Sequence, residues 1–349
     1  MENSGLFKKK KRNYGIDLLR SIAIFMVIIL HVLKKSNALD TFQAGTLQHG
    51  IIWGTEAFAI CAVNIFAIIS GFVCSEQKFK AKRVISLWLE VLFYSVSSYL
   101  ITAAIFHDFS YNELISSFLP IVTKKYWYVS AYSMIMLLMP MFNCFIERAE
   151  KGEFKAFLIV FGVYFSFIHM KFDVVQIIGG FSWIWLSYLY FVGAYLKKYD
   201  LPKMSKKSLT LIYVAASFMI LFLYVFIECL TERILGKTVF ADNIYFYNCP
   251  LVLLQALALF QLFREIEIKG KSVVFIQYLS SLSFGVYLVH GTFLRYFEKF
   301  LVICDSPAYM FIPLTLLYAS AIYIVSCIAE ILRRKIFKIL HIDAVSKNR

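Results

Sequence analysis

Three ionisable side chains interrupt one apolar run, IDLLRSIAIFMVIILHVL at residues 16–33: Asp17, Arg20 and His31. The run is long enough to cross a bilayer as a helix, and ionisable groups at that depth are costly enough to count as functional candidates. Arg20 and His31 are eleven residues apart. At ~100° per residue this is three turns plus roughly 20°, so both share one face, roughly 16 Å apart along the axis. Asp17, three residues before Arg20, can pair with it on that face. One stripe therefore offers a permanent cation for an anionic ligand and a titratable imidazole for proton transfer. The same pattern also suits a snorkelling Asp17–Arg20 pair with His31 closing the far end. Two further residues extend the set. Glu90 lies inside another apolar run and wants a cation or a donor. His290 lies in SLSFGVYLVHGTF near the end of a third, so two helices each bring a histidine to one depth, expected on opposite walls of one cavity.

The elements that must position these groups are membrane helices. Of the 349 residues, 60% are hydrophobic, and the mean hydropathy is +0.70. This excludes an ordinary soluble domain, and run lengths without ten-residue alternation exclude a strand barrel. About ten apolar segments can be marked: 15–33, 51–74, 84–106, 126–146, 155–171, 177–196, 207–229, 244–263, 273–294 and 307–332. The expected fold is an all-α polytopic bundle of about ten helices forming a single transmembrane domain over 1–349. It has a basic N-terminus (1–14) and a basic tail (333–349). The net charge of +14 sits in short clusters between apolar runs, a topology signal and not a nucleic-acid footprint. With alternate loops assigned to each side, Lys and Arg favour the side of the termini by roughly three to one, which places both termini in the cytoplasm. The seven cysteines include no C-x-x-C pair or metal-ligand spacing; they read as buried thiols, with only Cys249 and Cys304 near outer loops, where a disulfide stays open. KKKKR at 8–12 is followed by no small-residue cleavage site, so the first helix is read as retained.

Loop charges and small residues add a second level to the site. The second apolar segment ends in VNIFAIISGFVC, where Ser70 and Gly71 suit close helix contact or leave room beside a pore. KFKAKR follows at 78–83 and brings Lys80, Lys82 and Arg83 to the membrane level of Arg20. Such a cluster anchors lipid headgroups or receives the phosphates of a cytosolic ligand. YWYVSAY opens the fourth long run with interfacial aromatics.

These phrases in this order resemble the acyltransferase-3 family of bacterial integral-membrane O-acyltransferases. The family's Arg-x10-His is Arg20 and His31. Its ISGF phrase is IFAIISGF at 65–72. Its basic R-x-x-R corresponds to Lys80-x-x-Arg83, a departure because lysine lacks the planar fork. Its W-[FY]-[LV] phrase is Trp127, Tyr128 and Val129. Its S-[FY]-G-[IV]-Y-L-[IV]-H is SFGVYLVH, with Tyr287 and ending at His290. The match runs from about residue 14 to 335. The resemblance implies transfer of an acyl group, often acetyl from acetyl-CoA, to a hydroxyl of a cell-surface polysaccharide or its lipid-linked precursor. It places the enzyme in the bacterial cytoplasmic membrane among membrane lipids. No bound cofactor or metal is implied; acyl-CoA is the donor substrate.

O-acylation from a thioester needs a base for the acceptor hydroxyl, and neutral histidine serves. His31, Arg20 and His290 are therefore the expected catalytic set. Arg20, Lys80, Lys82 and Arg83 are the expected donor-binding cations. Ser70 and Gly71 are expected beside the pore, with Asp17, Glu90, Trp127 and Tyr287 in support. No nucleophile elbow is present, so direct transfer is favoured over a Ser or Cys acyl-enzyme, with an acyl-His31 left open. The geometry suggests an acyl-CoA lying along the membrane normal, its head on the cations and its thioester near His31. Two alternatives are an acyltransferase for a small metabolite or peptide, and a transporter or flippase with His31 and Arg20 as a relay. The second would be supported by inverted repeats or Gly/Pro-broken helices, and neither is visible.

Overall fold

In the computed structural model the described residues are 12–167, 173, 175–199 and 202–340. Most of the basic N-terminal cluster and the end of the basic tail lie outside them, as does part of the 170–180 connection. Among the described residues the fold is all helix. Its long elements are α1 (Tyr14–Lys35), α2 (Leu47–Ala59), α3 (Ala62–Cys74), α4 (Ala81–Phe106), α5 (Trp127–Arg148), α6 (Lys151–Phe167), α7 (Trp183–Lys198), α8 (Lys206–Leu235), α9 (Pro250–Arg264), α10 (Ser272–Phe297) and α11 (Phe311–Ile339).

Among the described residues, eight stretches are long and apolar enough to cross a membrane, with α2 and α3 making one broken span, Leu47–Cys74. The difference from ten falls on the fifth and sixth segments. There α6 has 17 residues and α7 has 16, or about 25 Å of helix against a hydrocarbon core of about 30 Å. Helix α7 is buried on every side from Trp185 to Leu196, so its apolar character serves the protein core and not lipid. A short helix, Tyr111–Phe118, occupies the loop between α4 and α5 and is N-capped by Ser110.

Local signals explain where α1 begins. The Asn13 side chain accepts from the Ile16 N–H at 3.1 Å, and its amide donates to the Arg264 carbonyl at 2.8 Å, which ties the cap to the end of α9. Asp17 in the first turn and Lys34 and Lys35 in the last complement the helix dipole. Helices α3 and α7 then cross at unusually close range. A Cβ on Gly71 would overlap the Tyr190 carbonyl, and one on Gly193 would overlap the Ile68 carbonyl. The two glycines permit the contact reciprocally. Gly71 is thus used by packing, whereas its neighbour Ser70 faces the cavity described below.

Helices α1 and α10 run parallel and touch at two levels. Arg20 Nη1 lies 3.4 Å from Ser280 Oγ, and His31 Nδ1 lies 3.2 Å from His290 Nε2. Ser280 and His290 are ten residues apart, so the rungs are separated by about 15 Å on α10, matching the spacing on α1. All seven cysteines are free thiols. The expected option of a Cys249–Cys304 bridge is not realised, since Cys249 is buried and Cys304 donates its S–H to the Ser36 carbonyl at 3.3 Å.

Candidate active site

A cavity of about 2000 Å³ runs through the bundle, lined by α1, the α2–α3 span, α4, the start of α5, α10 and α11. Its wall includes both Arg20 and His31, with Val27 and Leu30 between them on the same stripe of α1. A single molecule in this cavity can therefore reach both levels.

At the histidine level the protons can be assigned from their partners. His290 Nδ1 faces the Tyr287 carbonyl at 2.7 Å and the Val286 carbonyl at 3.2 Å. Carbonyls only accept, so Nδ1 carries the proton and donates. His290 Nε2 then presents its lone pair to His31 Nδ1, which donates to it. Neutral His31 is left with its lone pair on Nε2, free to take a proton. The sequence expectation of two histidines on opposite walls becomes a direct contact, with ring centroids 5.0 Å apart. Aromatic rings close the level around them. Tyr287 lies 5.8 Å from the His290 ring and 5.8 Å from Tyr128. Trp127 packs at 4.8 Å on Phe181 and stacks with Tyr247 at 6.0 Å. Trp127, Tyr128 and Tyr287 all line the cavity.

At the arginine level, buried Asp17 sits between two cations. Arg12 Nε donates to it at 2.6 Å, Arg20 Nη1 stands 3.7 Å away, and Ser280 Oγ donates to it at 3.3 Å. Opposite, fully buried Glu330 accepts from Arg333 at 2.8 Å, Arg334 at 2.6 Å and the Tyr94 hydroxyl at 2.7 Å. Glu90 finds its cation in Arg333, at 3.3 Å. Arg334 also donates to Ser281 Oγ at 2.9 Å. Adjacent serines on α10 thus orient one cavity-facing arginine from each flanking helix.

Arg20, His31, His290, Ser70, Glu90, Trp127 and Tyr287 all lie on the cavity wall. Lys80, Lys82 and Arg83 do not. Lys80 and Lys82 are exposed, and Arg83 turns to the Gln77 side-chain carbonyl. The cations brought to the cavity at the arginine level are instead Arg12, Arg333, Arg334 and Lys338, while Lys34, Lys35, Lys125 and Arg295 also line it. Arg333, Arg334 and Lys338 belong to the stretch read as a basic tail. The available signal was the i, i+3, i+4 spacing of Glu330, Arg333 and Arg334, which continues the helix past the end of the marked apolar segment at 332.

Residues 13–331 match the family described as Acyltransferase domain. The chain belongs to the acyltransferase-3 family. The match covers nearly the whole polypeptide, Arg20, His31 and His290 included and Arg12, Arg333, Arg334 and Lys338 just beyond its ends, and acyltransferase activity is what the family carries. No curated protein and no solved structure matches the chain. For this acyltransferase the candidate positions therefore rest on its own geometry: one imidazole with a free lone pair, one imidazole that sets its tautomer, and a cationic level one cavity-length away.

Proposed function

We propose that this protein is a single-domain membrane O-acyltransferase of the bacterial cytoplasmic membrane. It would move an acyl group, acetyl in the simplest case, from cytosolic acyl-CoA to a hydroxyl of a cell-surface polysaccharide or its lipid-linked precursor. The basic-residue bias puts both termini, and hence the Arg20 level, in the cytoplasm. The observation that carries the reading is the shared cavity: it holds a tautomer-fixed His31 at one level and Arg20 with Arg12, Arg334 and Lys338 at the other. Acyl-CoA matches this layout, with phosphates at one end and a thioester at the tip of a thin arm.

In the transfer step His31 Nε2 takes the proton of the acceptor hydroxyl as its oxygen attacks the thioester carbonyl. The tetrahedral adduct collapses with cleavage of the C–S bond. The departing thiolate recovers the proton from His31, leaving ester and free CoA. While His31 is an imidazolium, its Nδ1–H is held by His290 Nε2, which orients the ring and shares the charge. His290 is in this sense a positioning residue. The test is membrane vesicles supplied with radiolabelled acetyl-CoA. Label should pass to glycan or lipid-linked glycan with the native protein and not with His31→Ala. Equal labelling by the mutant at equal membrane content would remove the core of the proposal.

A further inference from the structure

Two polar atoms at the histidine level have no partner among the described residues and are shielded from solvent: Trp53 Nε1, a donor, and Glu56 Oε2, an acceptor. They lie three residues apart on α2, hence on one face, and both side chains line the cavity that holds His31 and His290. Their depth is set from the α1 side, since the charge of Lys34 reaches Glu56, and Lys34 stands one turn beyond His31 on the same helix. The pair is rigidly mounted. The Trp53 ring stacks on Tyr224 with centroids 4.0 Å apart and meets Tyr245 at 4.8 Å. The Tyr245 hydroxyl donates to the Trp53 carbonyl at 2.7 Å, which locks that turn of α2.

Shielded polar groups without partners are costly, and where they face a cavity a ligand is the natural source of the missing bonds. Their opposite polarity selects its chemistry. An ammonium group would satisfy Glu56 and leave the indole N–H unmet. A phosphate or carboxylate would suit the N–H and offer no proton to an accepting Glu56 Oε2. A hydroxyl does both, donating to the Glu56 oxygen and accepting from the indole. The reacting hydroxyl belongs beside His31, so the one held here is a second hydroxyl of the same molecule.

We infer that Trp53 and Glu56 form an acceptor-recognition subsite for a non-reacting hydroxyl, making this enzyme selective for polyhydroxylated over monohydroxylated acceptors. The inference rests on the acyltransferase reading and adds two specificity-determining residues to it. A site built to bond a hydroxyl discriminates strongly against analogues that lack it, because its own polar groups are then left unpaired.

The experiment gives membrane vesicles labelled acetyl-CoA with octyl β-D-glucopyranoside or octan-1-ol, both below detergent concentrations, and reads the ratio of kcat/KM for the two alcohols. The native enzyme should favour the glucoside. Trp53→Phe keeps the stacked ring and removes the N–H; Glu56→Met keeps the length and removes the acceptor. Each should lower the ratio about tenfold, the size of one lost bond to a shielded group. An unchanged ratio in both variants overturns the subsite and leaves the acyltransferase reading standing. Loss of transfer to both alcohols in both variants also overturns it, since the pair would then serve the fold or the chemistry and not acceptor choice. If the native vesicles consume no acetyl-CoA, the acyltransferase reading fails first and takes the subsite with it.

Discussion

His31 Nδ1 and His290 Nε2 face each other at 3.2 Å across two parallel helices, and the carbonyls of Val286 and Tyr287 fix the proton on the far nitrogen of His290. The consequence is directional: His290 can only accept from His31 while both are neutral, so one defined nitrogen, His31 Nε2, keeps a free lone pair and is the one proposed as the base. Replacing His31 should remove the base, whereas replacing His290 should leave the base present but free to rotate and change tautomer. We expect His31→Ala to abolish measurable transfer. We expect His290→Ala to lower kcat by about 10²-fold, the lower end of what a positioned general base contributes. His290→Gln, whose side-chain oxygen can replace the Nε2 acceptor, should recover part of that loss. A kcat for His290→Gln no better than for His290→Ala would argue that His290 acts by some route other than holding the Nδ1 proton.

The same contact dictates the acid limb of the pH profile. Two imidazoles at this distance repel when both are charged, so the pair takes up one proton before it can take a second. That first proton consumes the base. Log kcat should therefore fall toward acid with a slope of one. In His290→Gln the limb should persist but shift, because the neighbour that shares the charge is no longer titratable. A limb of slope two would mean that both rings are protonated together and that the assigned tautomers are wrong.

The cations on the cavity wall and those off it should separate in kinetics. Arg20→Ala and Lys338→Ala remove charge from the wall. Each should raise KM for acetyl-CoA by about tenfold, in line with one charge-assisted phosphate contact, with a smaller effect on kcat as expected for uniform binding. Lys80→Ala and Lys82→Ala remove exposed charges outside the wall and should change KM less than twofold. Steady-state kinetics on vesicles with accessible cytoplasmic faces measures all four. A large KM effect at Lys80 with none at Lys338 would return the donor site to the loop after α3.

Why the sequence pointed to one cation set and the structure brings another to the cavity follows from what periodicity can carry. Eleven residues bring a helix back to nearly the same face, so Arg20 and His31 were legible as one stripe from spacing alone. The neighbour of α1 was not legible, because helical period says which face is polar and not which helix covers it. The contact with His290 needed the parallel packing of α1 against α10. Arg333 and Arg334 were read as topology signal because charges at a helix end serve orientation and ligand binding with the same residue types. The extra turns of α11 that carry them inward became visible only with Glu330 as their buried partner. Helix α7 shows the same limit. A helix apolar on every side looks alike in lipid and in a protein core, and only its 16-residue length set it apart.

The close crossing of α3 and α7 supplies a test of the scaffold that is independent of chemistry. Gly71 lies under the Tyr190 carbonyl and Gly193 under the Ile68 carbonyl, so one approach of two backbones satisfies both positions. Gly71→Ala and Gly193→Ala should each force the helices apart and destabilise by about 1–3 kcal/mol, the range for overpacking a tight interior. Once either methyl has separated the helices, the second meets less resistance. The double variant should therefore lose less than the sum of the singles, as coupled neighbours do. Thermal unfolding of purified protein in one detergent, followed by tryptophan fluorescence, gives the cycle. Ser70 sits beside Gly71 and faces the cavity, so the separation should also disturb donor binding, seen as a raised KM for acetyl-CoA in both singles. Additive losses in stability would mean that the two glycines act at separate contacts and that the crossing is not a single shared approach.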